Sequence, residues 1–467
     1  MQIPILSGVY ADSGPDFRVS YPVNLFVVPG PNGISDSYLR PADGITSVGI
    51  GPGVDRGGIN WKGVHYRVMG PSLVSITSDG VVTTIGSVGG TVEPVTFDYS
   101  FDRLAIASNN DLFYWNGVSL QQVLDPDLGD VVDVVWVDGY FMTTDGTSLV
   151  VTELTDPFSV NPLKYGSSEV DPDSVVALLK TRNEVYALNR NTIEVFDNIG
   201  GDLFPFQRID GAQITKGCIG THACCVFEDA IAFLGSGRNE APSIYIGGNG
   251  QAKQISSHEV DRLLLNYTEA QLSEVNLEAR NDKAQRLLYV HLPDRTLVYD
   301  ATASEALQQP IWVTLTSALS GFSQYRANSL VWVYDNWWVG DPTSYAFGKL
   351  TQSVGTHWGS TVRWEFATSI MYAEGRGAIL HQLELVALTG RIALGSDPTL
   401  STSYSTDGVT WSQPKFIKAG AQGDRAKRLA WFGQGYMRNF RAQRFQGDTQ
   451  THLAFARLEA QVEGLAY

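Results

Sequence analysis

Apolar positions along this chain gather into short runs that turn chemistry interrupts. Tyr66 to Met69 and Leu73 to Ile76 lead to Asp79-Gly80, and Leu104 to Ala107 and Leu112 to Trp115 lead to Asn116-Gly117. Val132 to Val137 passes through Asp138-Gly139 into Tyr140 to Met142, then Asp145-Gly146 and Leu149 to Val151. Later runs are Val175 to Leu179, Glu184 to Leu188, Ile193 to Phe196, Val226 to Leu234, Leu287 to Leu292, Leu297 to Tyr299 and Trp312 to Leu315. Ser329 to Tyr334 and Trp337 to Val339 end the series. Short runs rich in β-branched and aromatic residues, bounded by Gly, Asn and Asp, read as strands. The turns recur at roughly 30–60 residues, a range that brackets a propeller blade. Short sheets stacked about an axis also protect one another's edges. The pattern predicts an all-β chain with a β-propeller-like body over 59–350, of about six or seven blades with insertions. A pair of Greek-key sandwiches is the alternative.

The ends differ from the middle. Residues 1–58 are rich in Gly and Pro, with one clear strand at Tyr21 to Val28 and a turn at Tyr38 to Ile45. This segment reads as an arm on a neighbouring subunit or an irregular edge of the first sheet. Gly49, Gly51 and Gly53 precede no helical pattern, so they form a loop and not a phosphate cradle. Thr351 to Thr361 is polar and marks a boundary. Beyond it, Leu383 and Leu385 alternate with Gln382 and Glu384, Tyr404 to Trp411 forms a hairpin, and Arg425 to Phe432 and Phe440 to Phe445 add strands. Residues 363–467 are expected to form a β-sandwich domain.

One stretch departs from the strand pattern. Ser243 to Ile246 and Gln251 to Ile255 flank Gly247-Gly248-Asn249-Gly250, a hairpin signal because Asn-Gly tolerates positive φ. Ser256 and Glu259 then have capping-box spacing, with Ile255 and Val260 as a hydrophobic staple. Val260, Leu263, Leu264 and Tyr267 follow at helical spacing, and Thr268 to Gln271 begins a second box. A short helical insert over 256–276 is expected on the β body.

Charge sharpens the division. The 467 residues carry a net charge of −16, but 12 Lys/Arg against 9 Asp/Glu from Arg363 onward leave that part at +3 and the preceding part at −19. An acidic body argues against tight wrapping of nucleic acid, which calls for a basic surface. It does suit a wall along which DNA slides without sticking. The basic group Arg425, Lys427, Arg428, Arg438, Arg441 and Arg444 is a candidate docking surface for an acidic partner; the plainer reading is a solvated face. Three cysteines, Cys218, Cys224 and Cys225, make no disulfide framework, which points to a reducing cytoplasm. Met1 to Tyr10 lacks the basic start and apolar core of a signal peptide.

Candidate chemistry is sparse. Ser405-Thr-Asp407-Gly408-Val-Thr-Trp411 nearly matches the Asp box of sialidases, lacking one residue between Asp and Gly. That box is a hairpin device, with Asp-Gly at the turn and Trp packing behind it. His222, Cys224 and Cys225 are close in sequence, but adjacent residues of a strand point apart and cannot converge on one metal ion. Asp125-Pro-Asp127 and Asp171-Pro-Asp173 read as turn openers, not as paired catalytic carboxylates or calcium loops. No Gly-x-Ser-x-Gly elbow, Walker loop or His-Glu-x-x-His motif occurs. No catalytic, cofactor-binding or metal-binding residue is therefore assigned, and no cofactor is expected.

The central motifs carry a family resemblance. Ala241-Pro-Ser-Ile-Tyr-Ile-Gly-Gly-Asn-Gly-Gln251, Gln254-Ile-Ser-Ser257 and Leu265-Asn-Tyr-Thr268 resemble the tail hub, or tail nozzle, proteins of short-tailed bacteriophages, also called packaged-DNA stabilisation proteins. Asn191-Thr-Ile-Glu-Val-Phe196, Gly200-Gly-Asp-Leu-Phe-Pro-Phe206, Lys216-Gly-Cys-Ile-Gly220, Leu297-Val-Tyr-Asp-Ala301 and Trp312 are similar to the same family. So are Leu383-Glu384, Ser405 to Ser412, Leu429-Ala-Trp431 and Phe440-Arg441 in the C-terminal domain. The resemblance implies a propeller-like body and a structural virion protein, not an enzyme. It implies a homo-oligomer, a hexameric tube below the portal and its adaptor ring. Such a tube retains packaged DNA, carries tailspikes and the tail needle or plug, and passes genomic DNA through its lumen without sequence-specific binding. The implied location is the virion tail, after synthesis and assembly in the host cytoplasm. The reading from another class is a glycan-binding or glycan-cleaving propeller of a virion or cell surface.

Overall fold

In the computed structural model, which describes residues 1–11, 16–30, 33–201, 203–372, 376–392, 396 and 398–465, seven four-stranded antiparallel sheets surround one axis. Their innermost strands are Asp55–Trp61, Thr96–Tyr99, Asp133–Val137, Val175–Thr181, Cys224–Phe227, Asn276–Asp282 and Asn328–Val333, for blades 1 to 7 in chain order. Each blade runs outward by hairpins, so its second strand is covered by blades on both faces. Such strands lose the polar alternation of a half-exposed sheet: Leu104–Ser108 and Tyr140–Thr144 are buried at every position. Outer strands such as Gln251–Gln254 meet solvent and are polar. Inner hairpins turn on paired left-handed residues, as at Asp138 (φ 46°) and Gly139 (φ 95°). Lys283-Ala284 and Tyr334-Asp335 adopt the same pair without glycine.

The ring closes with a strand from the other end of the chain. Gly44–Ile50 is the outermost strand of blade 7, pairing antiparallel with Ala346–Thr351 in a register that sets Ile45 opposite Leu350 and Ile50 opposite Ala346. This ladder ties the N-terminal side of the chain to the last blade, so the ring cannot open without breaking it.

The second body is a sandwich built from both termini. One sheet has the order Leu429–Met437, Ala378–Ala387, Phe455–Gly464, Ser37–Pro41 and Leu25–Pro29, with Gln2–Ile3 also on Phe455–Gly464. The other has Arg363–Ala367, Phe440–Asp448, Thr399–Ser405 and Lys415–Lys418, with Met371–Tyr372 on Phe440–Asp448. Trp364, Phe366, Trp431, Phe445 and Phe455 pack between the sheets with ring centroids 4.8–5.4 Å apart in four close pairs. Ile3, Ile5, Leu25, Val27 and Leu39 are buried in that same core. The residues read from sequence as an N-terminal arm or edge, 1–58, are thus shared out. Their first part completes the sandwich, 44–50 closes blade 7, and the strand from Asp55 crosses position 58 as the inner strand of blade 1.

Asn24 joins the two bodies. It sits at φ 52°, a left-handed conformation that Asn tolerates. Its side-chain amide donates to the carbonyls of Thr316 (2.9 Å) and Arg363 (2.7 Å), and its Oδ1 accepts from Thr316 N–H (3.1 Å). Backbone bridges from Val23 to Thr314 and Glu365 flank it. The joint therefore links blade 6, the N-terminal chain and the first C-terminal strand.

The hairpin-and-helix unit forms with one change. The helix His258–Leu264 is capped by Ser257, whose Oγ accepts from Val260 N–H at 3.3 Å. The expected Ser256–Glu259 box is absent. Ser256 Oγ accepts from Ile244 N–H (3.3 Å), and Glu259 instead receives the Arg18 guanidinium at 2.6–3.1 Å. A bidentate charged pair outweighs one bond to a cap amide. The Thr268–Gln271 box forms as expected, and Ile255, Val260 and Leu264 join the core.

Carboxylates brace neighbouring blades near the axis. Asp98 accepts from Trp136 N–H (2.6 Å), Asp133 from Leu178 N–H (2.7 Å), and Glu278 from Ser329 and Leu330 N–H (both 2.7 Å). In each case the acceptor lies on one inner strand and the donor on the next. A buried pair, Arg67 with Asp55 at 2.7 and 3.0 Å, also reaches the Ser329 carbonyl at 3.0 Å, tying blade 1 to blade 7. Its seat requires Gly340, where a Cβ would lie 2.0 Å from Asp55 Cγ. His65, beside Arg67, is pushed down to about 2 by burial and by that charge, so it stays neutral.

Two outcomes follow from this architecture. A chain lacking residues 1–43 keeps the strand that closes the ring but loses sandwich strands. Limited proteolysis is expected to degrade it beyond about residue 355 while a propeller-sized core survives; an equally resistant C-terminal region would refute the shared sandwich. Burial, with Asp98 nearby, raises Asp133 to about 7. A carboxyl raised on folding stabilises fully below its ordinary value near 4 and loses that contribution as pH rises through about 7. Melting temperatures between pH 4 and 8 should therefore fall more steeply for the wild type than for Asp133→Asn. Equal slopes would show Asp133 ionised throughout.

Candidate functional site

The propeller axis is the first place where a site could lie. Gly57, Gly58, His222, Cys225, Glu278 and Leu330 line an axial cavity of about 410 Å³. That volume suits a small molecule and is far too small for a nucleic-acid duplex. Cys224 is buried in the core shared by blades 4 to 6, while Cys225 is half-buried. Burial raises the Cys225 thiol, which keeps it protonated and unreactive. His222 is desolvated and pushed down to about 4, and its carbonyl accepts from Leu277 N–H (2.9 Å) to join blade 5 to blade 6. Among the described residues no group of three His, Cys, Asp or Glu side chains is arranged to hold a metal ion.

The paired aspartates act as braces. Asp125 caps the short 3-10 turn Pro126–Leu128 through Asp127 N–H (2.9 Å), and its other oxygen accepts from Val160 N–H (2.9 Å). Asp173 accepts from the Asn191 backbone (2.5 Å), and Asp171 pairs with Arg238 at 3.0 Å. Neither pair presents two free carboxylates to one point.

Asp407 organises a hairpin turn in the sandwich, outside the propeller. Its Oδ1 accepts from Ser405 Oγ–H (2.9 Å), Val409 N–H (2.9 Å) and Thr410 N–H (2.8 Å), while Oδ2 accepts from the Thr410 hydroxyl. Those donors, the Thr410 hydroxyl foremost, hold the carboxyl well below the usual range. Gly408 supplies φ 79°, and Trp411 lies under the Arg444 guanidinium at 4.2 Å. Four of its hydrogen bonds serve the turn, which is the role of a hairpin brace.

The six basic residues separate into two groups. Arg441 is 0% exposed, so it is not part of the chain's surface. It donates to Gln443 Oε1 (2.9 and 3.0 Å) and the Gln434 carbonyl (2.6 Å), and stacks on Tyr404 at 3.9 Å. Burial lowers its pKa to about 10, still cationic at neutral pH. Arg444 is half-buried, bonded to Ser403 Oγ (3.3 Å) and stacked on Trp411. Both lie on the strand Phe440–Asp448, three residues apart and so on opposite faces, and each finds an aromatic ring there. Arg425, Lys427, Arg428 and Arg438 are exposed. Of these, Arg428 is held by Glu384. The exposed cations flank the edge strands Lys415–Lys418 and Leu429–Met437, where Phe416 and Phe432 also face solvent. This aromatic and cationic edge is the part of the sandwich best suited to meet another surface, and the two phenylalanines carried no distinguishing signal in the sequence.

Replacing Asp407 with Ala is expected to lower the melting temperature and loosen the 405–411 hairpin, seen as faster amide exchange at Val409 and Thr410. A well-folded variant that lost a hydrolase activity present in the wild type would overturn the structural role.

Comparison with known proteins fits these two bodies. Residues 1–355 match the family described as Bacteriophage P22 Gp10, beta-propeller, and residues 363–463 match Bacteriophage P22 Gp10, beta-sandwich. The chain is similar to the tail hub protein gp10 of Salmonella phage P22, with 26% identity over 461 residues and 94% of each chain covered. Among solved structures, the WD40 domain of Neurospora crassa Pan2 aligns with 66% of this chain and 95% of its own at 11% identity and a TM-score of 0.42. The WD40 propeller of Doa1 aligns with 66% and 97% at 12% identity and a TM-score of 0.42. With both bodies matched along nearly its whole length, the chain belongs to the bacteriophage P22 Gp10 family, a structural and not an enzymatic family.

Proposed function

We propose that this chain is a structural subunit of a bacteriophage tail, assembling as a hexameric tail hub below the portal and adaptor ring. In this reading the tube retains packaged DNA, offers attachment to tailspikes and to the needle or plug, and is made and assembled in the host cytoplasm. The observation that carries it is the match of propeller and sandwich, in order, to the family of a tail hub protein. In this reading the DNA passage is enclosed between copies and not by one propeller. The acidic body, −19 before Arg363, suits the wall of such a passage because like charge lets a duplex slide. Among the described residues no helix is long and apolar enough to cross a membrane. The basic edge of the sandwich, around Arg425, Lys427, Arg428 and Arg438, is the proposed assembly contact.

Native mass spectrometry and sedimentation, with and without the cognate adaptor, test the reading. A closed ring of six copies, formed alone or on the adaptor, is the expected result. A chain that stays monomeric at every concentration, with the adaptor present, would overturn it.

A further inference from the structure

A second surface on the propeller complements the sandwich edge. The connection from blade 2 to blade 3 exposes Asp127 and Asp130, and the neighbouring hairpin exposes Asp145. They lie close together: a Cβ on Gly129 would be 4.0 Å from Asp145 Cβ, and the Tyr165 hydroxyl donates to the Asp127 carbonyl. Partial burial, then the charges of Asp127, Asp145 and Asp125, raises the Tyr165 hydroxyl, a sign that their fields overlap. Apolar surface adjoins the acids, with Leu124 at 80% exposure. Among the described residues, no Lys, Arg or His forms an ion pair with Asp127, Asp130 or Asp145, although ion pairs are frequent elsewhere on this acidic body.

The sandwich edge has the opposite character. Arg425 and Lys427 are exposed, and no ion pair engages them among the described residues. Phe416 and Phe432 are 64% and 68% exposed on the two edge strands. Those strands are tied together by Trp431 Nε1–H to the Lys415 carbonyl (2.9 Å) and Lys415 Nζ to the Gly433 carbonyl (2.7 Å). Lys427 packs against the end of the same edge, where a Cβ on Gly420 would lie 3.1 Å from its Cγ. Two aromatic groups beside two unpaired cations form an anchor with a charged rim.

One chain cannot bring these surfaces together. The sandwich joins the propeller at blade 6, through Asn24 with Thr316 and Arg363 and through Val23 with Thr314 and Glu365, and the chain passes into it from blade 7. The acidic surface belongs to blades 2 and 3, across the ring. We propose that the sandwich edge bearing Phe416, Phe432, Arg425 and Lys427 docks on the Leu124, Asp127, Asp130 and Asp145 surface of a second copy. The contact uses different surfaces on its two sides, so it repeats head to tail and closes into a ring when the rotation allows. This inference rests on the proposed hub assembly and specifies which surfaces build it. Opposite charge steers the encounter and rejects the like-charged alternative of body against body.

The test uses two paired reversals in the full chain. Asp127→Lys with Asp130→Lys makes both surfaces basic; neither of these carboxylates accepts a hydrogen bond within the chain among the described residues. Arg425→Glu with Lys427→Glu makes both surfaces acidic. Circular dichroism and melting temperature check folding, with Asp127→Asn and Asp130→Asn as milder replacements if the first pair fails to fold. Sedimentation at low salt is expected to show that each reversed chain needs at least about tenfold more protein for half-assembly than the wild type. An equimolar mixture of the two reversed chains should restore assembly, because every edge then meets an oppositely charged surface. If the wild type assembles and both reversed chains assemble equally well, the contact lies elsewhere while the hub reading stands. If only the Arg425 and Lys427 reversal impairs assembly, or the mixture is not restored, the acidic surface is not the receptor. A wild type that never assembles defeats the hub reading and this contact together.

Discussion

The pairing of Gly44–Ile50 with Ala346–Thr351 is the constraint on which the rest of the molecule depends. Without this strand blade 7 would have three strands where each of the other six has four, and nothing would tie the N-terminal side of the chain to the last blade. Supplying the missing strand from the N-terminal side closes the ring. It also fixes where the chain's beginning must lie, because residues before 44 emerge beside blade 7, where residues after 351 emerge too. The two ends are held together and form one sandwich, with Ile3, Leu25 and Leu39 buried against Phe455 and Leu383. Ring closure and the second domain are thus one topological event.

The joint between the bodies is polar and buried. Asn24 is nearly enclosed, and its side chain bonds three backbone groups. Unsatisfied buried groups cost about 1–3 kcal/mol each, so this geometry tolerates little sliding. The N-terminal strand Phe17–Ser20 adds a second tether, since Arg18 grips Glu259 on the helix after blade 5. The helical insert, which looks like an ornament on a β chain, serves as an anchoring post for the terminal segment.

Acidity has two origins in this chain. Some carboxylates are structural: Asp98, Asp133 and Glu278 accept backbone N–H groups across blade boundaries. Their burial raises all three, the mark of carboxyls placed for geometry at a cost in desolvation. Others, such as Asp127 and Asp130, face solvent and set the field that a partner meets. Net charge mixes the two, so −19 overstates the charge available at the surface.

Period-two and continuous apolar runs, separated by Asp-Gly and Asn-Gly turns, determined the strands and the propeller count to within a blade. The motifs around Ala241 to Thr268 and Ser405 to Trp411 determined the family. Those features are local, and local sequence carries them. Turns at Lys283-Ala284 and Tyr334-Asp335 had no such chemistry, because tight hairpins between long strands impose left-handed φ on whatever residues occupy them. The cap moved from Ser256 to Ser257 because Arg18, more than two hundred residues away, claimed Glu259. Arg441 and Arg444 looked like surface cations until the neighbouring strand placed Tyr404, and the hairpin connection after it Trp411, beneath them. The pairing of the first strands with the last and the bond from Arg67 to the Ser329 carbonyl between blades 1 and 7 are likewise long-range. Each depends on which segments meet across the closed ring, and only the tertiary structure decides that.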